Sequence, residues 1–187
     1  GVSLVACDVR DQAALSELFA AHAPFDILIN AATGGSRAAG PFLQMDLAAY
    51  QGSFDKLWGY TNVVRLGAEH LSADGTIVLV SGAPARRARV GQSALASVGG
   101  AVEQFVRAVA PELAPRRINV LSPGVIDTPM FGPDAEARAK MLAASTANHL
   151  IKRPGTSDEA AAAIRFLIEN DFVTGTTIDV DGGWILS

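Results

Sequence analysis

One alternation constrains this chain more than any other feature: short apolar runs of strand length take turns with longer stretches whose apolar residues recur every three or four positions. Such a succession predicts parallel strands joined by helical crossovers, because a parallel pair needs a connection long enough to carry the chain back to the same end of the sheet. The expected class is therefore α/β. Strands are predicted at residues 3–9, 26–30, 76–80, 118–121 and 176–180. A first helix is marked by Leu15, Leu18 and Phe19 and stops at Ala23-Pro24; a long half-buried helix covers 47–71 and stops at Asp74-Gly75. Residues 96–113 carry one apolar stripe of Val98, Val102, Phe105, Val106, Val109 and Leu113. Within them Gly99-Gly100 is costly unless another backbone packs there. Residues 134–147 are helical by composition, Ser157-Asp158-Glu159 opens a helix to about residue 169, and residues 34–41 read as a loop. The greatest mobility is expected in residues 127–154.

A chain of 187 residues that is 49% hydrophobic fits one domain around one large core. With 18% charged residues and a net charge of −4 there is no basic surplus to draw a phosphate backbone or an anionic membrane, so neither nucleic acid nor a membrane is an expected partner. Cys7 is the single cysteine, which excludes an internal disulfide, and no apolar run reaches spanning length; the expected compartment is the cytoplasm. His22, His70 and His149 lack ligand-like spacing, and no metal site is expected. The chain opens Gly1-Val2-Ser3 without an initiator Met, as a fragment of a longer product would.

Small Gly, Asn and Thr clusters follow the predicted strands, where parallel α/β sheets bind dinucleotides and where small residues let a ligand approach the backbone. In order they are Asp8-Val9, Ile29-Asn30-Ala31-Ala32, Ser122-Pro123-Gly124-Val125-Ile126-Asp127-Thr128, and Thr174-Gly175-Thr176 through Asp181-Gly182-Gly183. Any one of them reads equally as an ordinary turn. As an ordered set they resemble the short-chain dehydrogenase/reductase family over essentially the whole chain. The resemblance implies a Rossmann-type doubly wound parallel sheet and an NAD- or NADP-dependent oxidoreductase acting on a small carbonyl or alcohol. It implies adenine contacts from Asp8 and Val9, and a nicotinamide half lined by Asn30, Ala31, Ala32, Pro123, Gly124 and Thr128, with Thr128 on the carboxamide. It also implies a homodimer or homotetramer, for which the 98–113 stripe and Trp184-Ile185-Leu186 offer contacts that would serve equally as internal core.

The same resemblance implies a glycine-rich turn between the family's first strand and first helix, to which this sequence shows no counterpart before Ser3. The first βαβ unit is thus absent from the chain. In the strand order 3-2-1-4-5-6 its absence leaves a gap between residues 3–9 and 26–30, and residues upstream of Gly1 are the expected remedy. The absent unit also carries the residue that separates NAD from NADP.

The catalytic set departs too. The family uses a Tyr and a Lys four residues apart on one helix, with a Ser and an Asn. Counting back from Pro111-Glu112-Leu113 puts Leu95 and Gly99 at the Tyr and Lys positions. A slip of two gives Ser93 and Ser97, and between Lys56 and Lys140 the only Tyr or Lys is Tyr60. The Ser position falls on Gly82, beside Ser81, and the Asn position on Lys56. Lys56 and Ser81 are therefore the candidate catalytic residues. Lys56 could polarise a carbonyl or hold a water, or could be a solvated lysine on a helix or one paired with Asp55 or Glu103. Tyr60 reads as a packing aromatic. Arg86, Arg87 and Arg89 could bind a carboxylate or phosphate, or simply be solvated. Two functions stay open: a reductase with another acid, and a non-catalytic nucleotide-binding or dimerisation scaffold.

Overall fold

Strands that are apolar on both faces must lie inside a sheet covered on both sides, and the central strands here obey that rule. In the computed structural model of the chain, which describes residues 1–33 and 37–187, four parallel strands pair in consecutive order. They are β1 (Phe25–Asn30), β2 (Leu71–Val80), β3 (Arg117–Pro123) and β4 (Thr177–Val180). Leu79 stands opposite both Asn30 and Val120, and Pro123 opposite Val180, so the carboxyl ends of all four strands gather at one edge. Gly34 and Gly35, read from the sequence as a loop start, lie outside the described residues.

The helices are α1 (Gln12–His22), α2 (Leu47–Gly52), α3 (Asp55–Gly67), α4 (Ser93–Leu113), α5 (Ala135–Thr146) and α6 (Ser157–Glu169). On one face Tyr60 and Val64 of α3 and Val102 and Val106 of α4 pack on Ile77, Leu79, Ile118 and Val120. The apolar stripe of α4 is therefore internal core, as is Trp184, which is 7% exposed. α1 packs on α3 through Leu15, Phe19 and Val63. On the other face α6 lies against β2, β3 and β4, opened by a capping box in which Thr156 and Glu159 satisfy each other's backbone N–H.

The end of α6 is fixed by an unusual partner. Arg117, buried in β3, donates to the carbonyls of Leu167 and Ile168 at 2.8 Å each and to that of Val173 at 3.1 Å. A cation at a helix C-terminus meets both the orphan carbonyls and the negative end of the macrodipole. Neighbouring Asn119 also donates to Val173, at 2.9 Å, and accepts from the Thr176 amide at 3.1 Å.

Three sequence expectations need correction. Residues 3–9 do not form a strand: residues 1–8 have no regular structure, with Val2 92% and Leu4 95% exposed. An apolar run becomes a strand only with a neighbour to complete its ladder, and among the described residues it has none. The outer edge of β1 is likewise unpaired, leaving Ile27 and Ile29 at 47% and 45% exposure. The single helix at 47–71 is two, because the buried Ser53 hydroxyl bonds the Ala49 carbonyl and takes the Ala38 amide, competing with the helical ladder. Asp74-Gly75 lies inside β2 rather than ending a helix. A Cβ on Gly75 would fall 2.5 Å from Leu71 Cγ and 3.0 Å from the Asp26 carbonyl oxygen, so the strand folds closely on itself there.

Replacing Arg117 with Met removes the donor and strands buried carbonyls. Urea unfolding should show a loss of about 2–3 kcal/mol; an unchanged midpoint would mean the α6 end is held by packing alone.

Candidate functional site

A parallel sheet brings the residues that follow its strands to one edge, and in this chain those residues are small or polar. Asn30 closes β1, buried; its Oδ1 accepts from the Ala32 amide at 3.0 Å, while its Nδ2 has no partner among the described residues. Ala31 is exposed and Ala32 half-buried, leaving the backbone open beside it. Pro123 closes β3, and the Gly124 amide donates to the Val180 carbonyl at 2.9 Å. A Cβ on Gly124 would lie 2.7 Å from Asp181 Cα, so glycine is needed here for close approach of two backbones. Thr128 is half-buried, and its hydroxyl does not cap the turn Pro129–Phe131 that follows it.

Asp8 and Val9 sit at the N-terminal half of α3. The Asp8 carboxylate pairs with Arg10 at 2.9 Å, and Arg10 reaches on to Asp55 at 3.0 Å. The hydrogen bonds from Arg10 hold the Asp8 carboxyl below the usual carboxylate range. Val9 packs against Gly59, where a Cβ would fall 2.5 Å from its Cγ2, and its carbonyl accepts from Asn62 at 3.2 Å.

Lys56 projects from the first turn of α3 onto the end of β2. Its Nζ donates to the Ser81 carbonyl at 3.3 Å and lies 5.4 Å from the centre of the Tyr60 ring. It pairs with neither of the anticipated acids: Asp55 binds Arg10, and Glu103 binds Arg86 at 3.3 Å and Arg107 at 3.4 Å. Burial, aided by the positive charge of Arg37, pushes its pKa down to about 8. The structure thus joins Lys56 and Ser81, but through the serine's main chain. The Ser81 hydroxyl points to α4, 3.2 Å from both the Gly99 carbonyl and Glu103 Oε1. Tyr60 is fully buried and donates to the Val80 carbonyl at 2.9 Å; burial drives its phenol far above the usual range, which suits a packing role.

The positions of the expected catalytic pair are occupied otherwise. A Cβ on Gly99 would lie 2.8 Å from Ala85 Cβ and 3.1 Å from Ser81 Oγ, so the turn Ala83–Ala85 fills that space and explains the first glycine of the pair. Gly100 has nothing within 4 Å. Leu95 is half-buried, and Ser97 shares a hydrogen bond with Tyr50 at 2.8 Å. The arginine cluster serves the fold. Arg86 joins Glu103, at 3.3 Å, to Asp179, at 3.6 Å; Arg87 reaches the Trp184 and Ile185 carbonyls; and Arg89 stacks 4.7 Å from the Trp184 ring. His149 stacks on the same indole, its pKa lowered by burial and by Arg89. Among the described residues no group of three His, Cys, Asp or Glu side chains is arranged to hold a metal, and no helix is long and apolar enough to cross a membrane.

Sequence reasoning passed over Arg37 and Tyr50, and weighed Glu103 only as a partner of Lys56. Arg37 was the only cation in a loop without period. Glu103 had one available signal, an acid on the apolar side of α4, one turn after Gly99.

A parallel sheet with helices on both faces and small polar residues at its carboxyl edge defines a dinucleotide-binding type of α/β protein. The family model described as enoyl-(acyl carrier protein) reductase matches residues 1–185. The short-chain dehydrogenase/reductase ATR9 of Stachybotrys chlorohalonatus is 40% identical over 111 residues, which is 59% of this chain and 44% of that protein. Among solved structures, a small-chain dehydrogenase in complex with NADPH superposes with a TM-score of 0.90 at 32% identity, over 96% of this chain and 83% of that one. An NADPH-bound short chain oxidoreductase from Pseudomonas aeruginosa PAO1, described as containing an atypical catalytic center, gives 0.85 at 28% identity, over 95% and 74%. The chain belongs to the short-chain dehydrogenase/reductase family.

The Lys56 shift has a signed consequence for stability. Between about pH 8 and its ordinary value of 10.5 the unfolded chain holds a proton that the folded chain has shed, so on this group's account stability rises with pH across that window. Below about pH 8 both states carry the charge and the burial cost stands in full. Urea midpoints of wild type and Lys56→Met, compared at pH 7 and pH 10, should shift in favour of wild type at the higher pH. A difference independent of pH would contradict the lowered pKa.

Proposed function

We propose that the protein is an NAD- or NADP-dependent oxidoreductase acting on a carbonyl or alcohol, with Lys56 as the group that carries the proton. The observation that supports this most directly is the half-buried Lys56 ammonium at the end of β2, with a pKa near 8. A general acid–base works best when its pKa lies near the working pH, and no other lysine or tyrosine takes the family's positions. The residues at the carboxyl edge suit a nicotinamide nucleotide. Asn30 offers a buried donor without a partner among the described residues, Ala31 and Ala32 leave the backbone accessible, and the Thr128 hydroxyl is not spent on its own turn. Pro123 and Gly124 bring the end of β3 close to β4 beside them. Asp8 and Val9, fastened to α3, are assigned to the adenine side.

When bound, the nicotinamide supplies or accepts the hydride. In reduction the Lys56 ammonium donates its proton to the carbonyl oxygen as that oxygen gains negative charge, and the neutral amine is recharged from solvent. In oxidation the neutral amine takes the proton of the alcohol. The Ser81 carbonyl holds Nζ in place, and Ser81's own hydroxyl, tied to Glu103 and Gly99, locks the strand end that carries this carbonyl. Assembly as a homodimer or homotetramer and a cytoplasmic location belong to the same reading. Exposed Leu47 and Trp58, at 74% and 64%, lie on the two helices α2 and α3 and support the first.

The native protein, assayed with NADPH and NADH against a panel of aldehydes and ketones, should turn over, with the reduction rate falling as pH rises through about 8. Lys56→Met should cut kcat by roughly 100-fold or more while cofactor Kd stays within about threefold. Undiminished turnover in that variant would remove Lys56 from the chemistry. A folded protein that binds neither cofactor would overturn the oxidoreductase reading in favour of a scaffold.

A further inference from the structure

Several cations around the carboxyl edge are answered by a carboxylate: Arg10 by Asp8 and Asp55, Arg86 and Arg107 by Glu103, Arg138 by Asp127. Two are not. Lys56 has the Ser81 carbonyl and the Tyr60 ring, and Arg37 has the sulfur of Met130 at 3.1 Å, a weak and replaceable acceptor on a residue 59% exposed. Residues 34–36, which precede Arg37, are Gly, Gly and Ser and bring no acid of their own. The nearby carboxylates are committed to other arginines, so neither charge has an anionic partner among the described residues. A donor that has no partner at all among the described residues, Asn30 Nδ2, is 5% exposed at the end of β1, opposite Leu79 and two residues before the level of Ser81. The positive field of Arg37 reaches Lys56 and disfavours its charge. Uncompensated like charges converging on one site are costly unless an anion is to be bound there.

We propose that the substrate is an oxo acid or the corresponding hydroxy acid, whose carboxylate is held by Arg37 while Lys56 faces the carbonyl oxygen. This rests on the oxidoreductase reading and narrows its substrate class. The planar guanidinium presents paired N–H donors that match a carboxylate, and an arriving carboxylate displaces only the Met130 sulfur. The same anion balances the Lys56 ammonium and keeps it charged for proton donation. The reaction balances as the reduction of a ketone to a secondary alcohol: one hydride from the reduced nicotinamide, one proton from Lys56, and the carboxylate unchanged.

The test compares pyruvate and 2-oxobutyrate with their methyl esters as substrates for wild type, Arg37→Ala and Arg37→Lys, alongside calorimetry with oxamate and with inorganic phosphate in the absence of cofactor. Wild type should prefer acid to ester by at least about tenfold in kcat/KM, the worth of one charge-assisted hydrogen bond. Arg37→Ala should bring that ratio close to one, mainly through KM, and Arg37→Lys should restore part of it. Equal use of acid and ester by wild type, or a preference that survives Arg37→Ala, overturns the proposal and leaves the oxidoreductase reading intact. Oxamate binding that disappears in Arg37→Ala upholds the carboxylate site even if nothing is turned over, in which case only the oxidoreductase reading fails. Binding of phosphate without oxamate assigns these cations to a phosphate of the cofactor and overturns the proposal, as does a folded protein that binds neither.

Discussion

Everything else in the molecule follows from the burial of the β2–β3 pair. Ile77, Val78 and Leu79 on one strand and Ile118, Asn119 and Val120 on the other are all 0% exposed. A strand pair shut off from water on both faces requires helices above and below, which α3 and α4 supply on one side and α6 on the other. Parallel pairing then sends every crossover back to the same end, and the carboxyl tips collect the short polar segments there. The cost of this arrangement is visible in the polar groups that β3 carries into the interior. Arg117 and Asn119 are tolerated because their donors find the carbonyls at and beyond the end of α6, which also fixes where that helix stops.

The carboxyl edge separates two uses of charge. Glu103, 4% exposed, gathers Arg86, Arg107 and the Ser81 hydroxyl, and through Arg86 reaches Asp179 on β4. This network ties α4, the turn after β2 and the last strand into one block, and Gly99 lets α4 approach that turn closely. Beside this network Lys56 and Arg37 have no carboxylate partner among the described residues, the first bonding the Ser81 carbonyl and the second the Met130 sulfur. The Ala83–Ala85 turn packs against Gly99, while Lys56 and Arg37 come from α3 and from the segment after β1.

Much of the architecture was legible in the sequence. The runs at 26–30, 76–80, 118–121 and 176–180 carry enough β-branched and apolar residues to announce strands, and Thr156 to Glu159 announces the start of α6. The failures share a cause. Residues 3–9 have the composition of a strand but, among the described residues, no neighbour to complete a ladder, and residues 47–71 have a helical period that the Ser53 hydroxyl interrupts by bonding across to Ala38. Both outcomes depend on a partner distant in sequence. The candidate site divides the same way: the strand-end residues Asn30, Pro123, Gly124 and Thr128 were readable as a set, whereas Arg37 had no pattern to mark it.

By itself the sequence determined the class of fold, the order of elements and the edge of the sheet at which a ligand would lie, because periodicity and turn chemistry are local properties that survive any arrangement of the whole. It also showed that the only tyrosine or lysine between Lys56 and Lys140 is Tyr60, where the family resemblance leads one to expect one of each. Only the tertiary structure decided what surrounds the candidate residues. Whether Lys56 is a solvated lysine or a half-buried amine bonded to Ser81, whether its pKa is ordinary or near 8, and whether the three loop arginines meet ligand or protein all depend on which groups are brought within a few ångströms. Desolvation and Coulomb energies are functions of distance in space, and distance along the chain does not fix them.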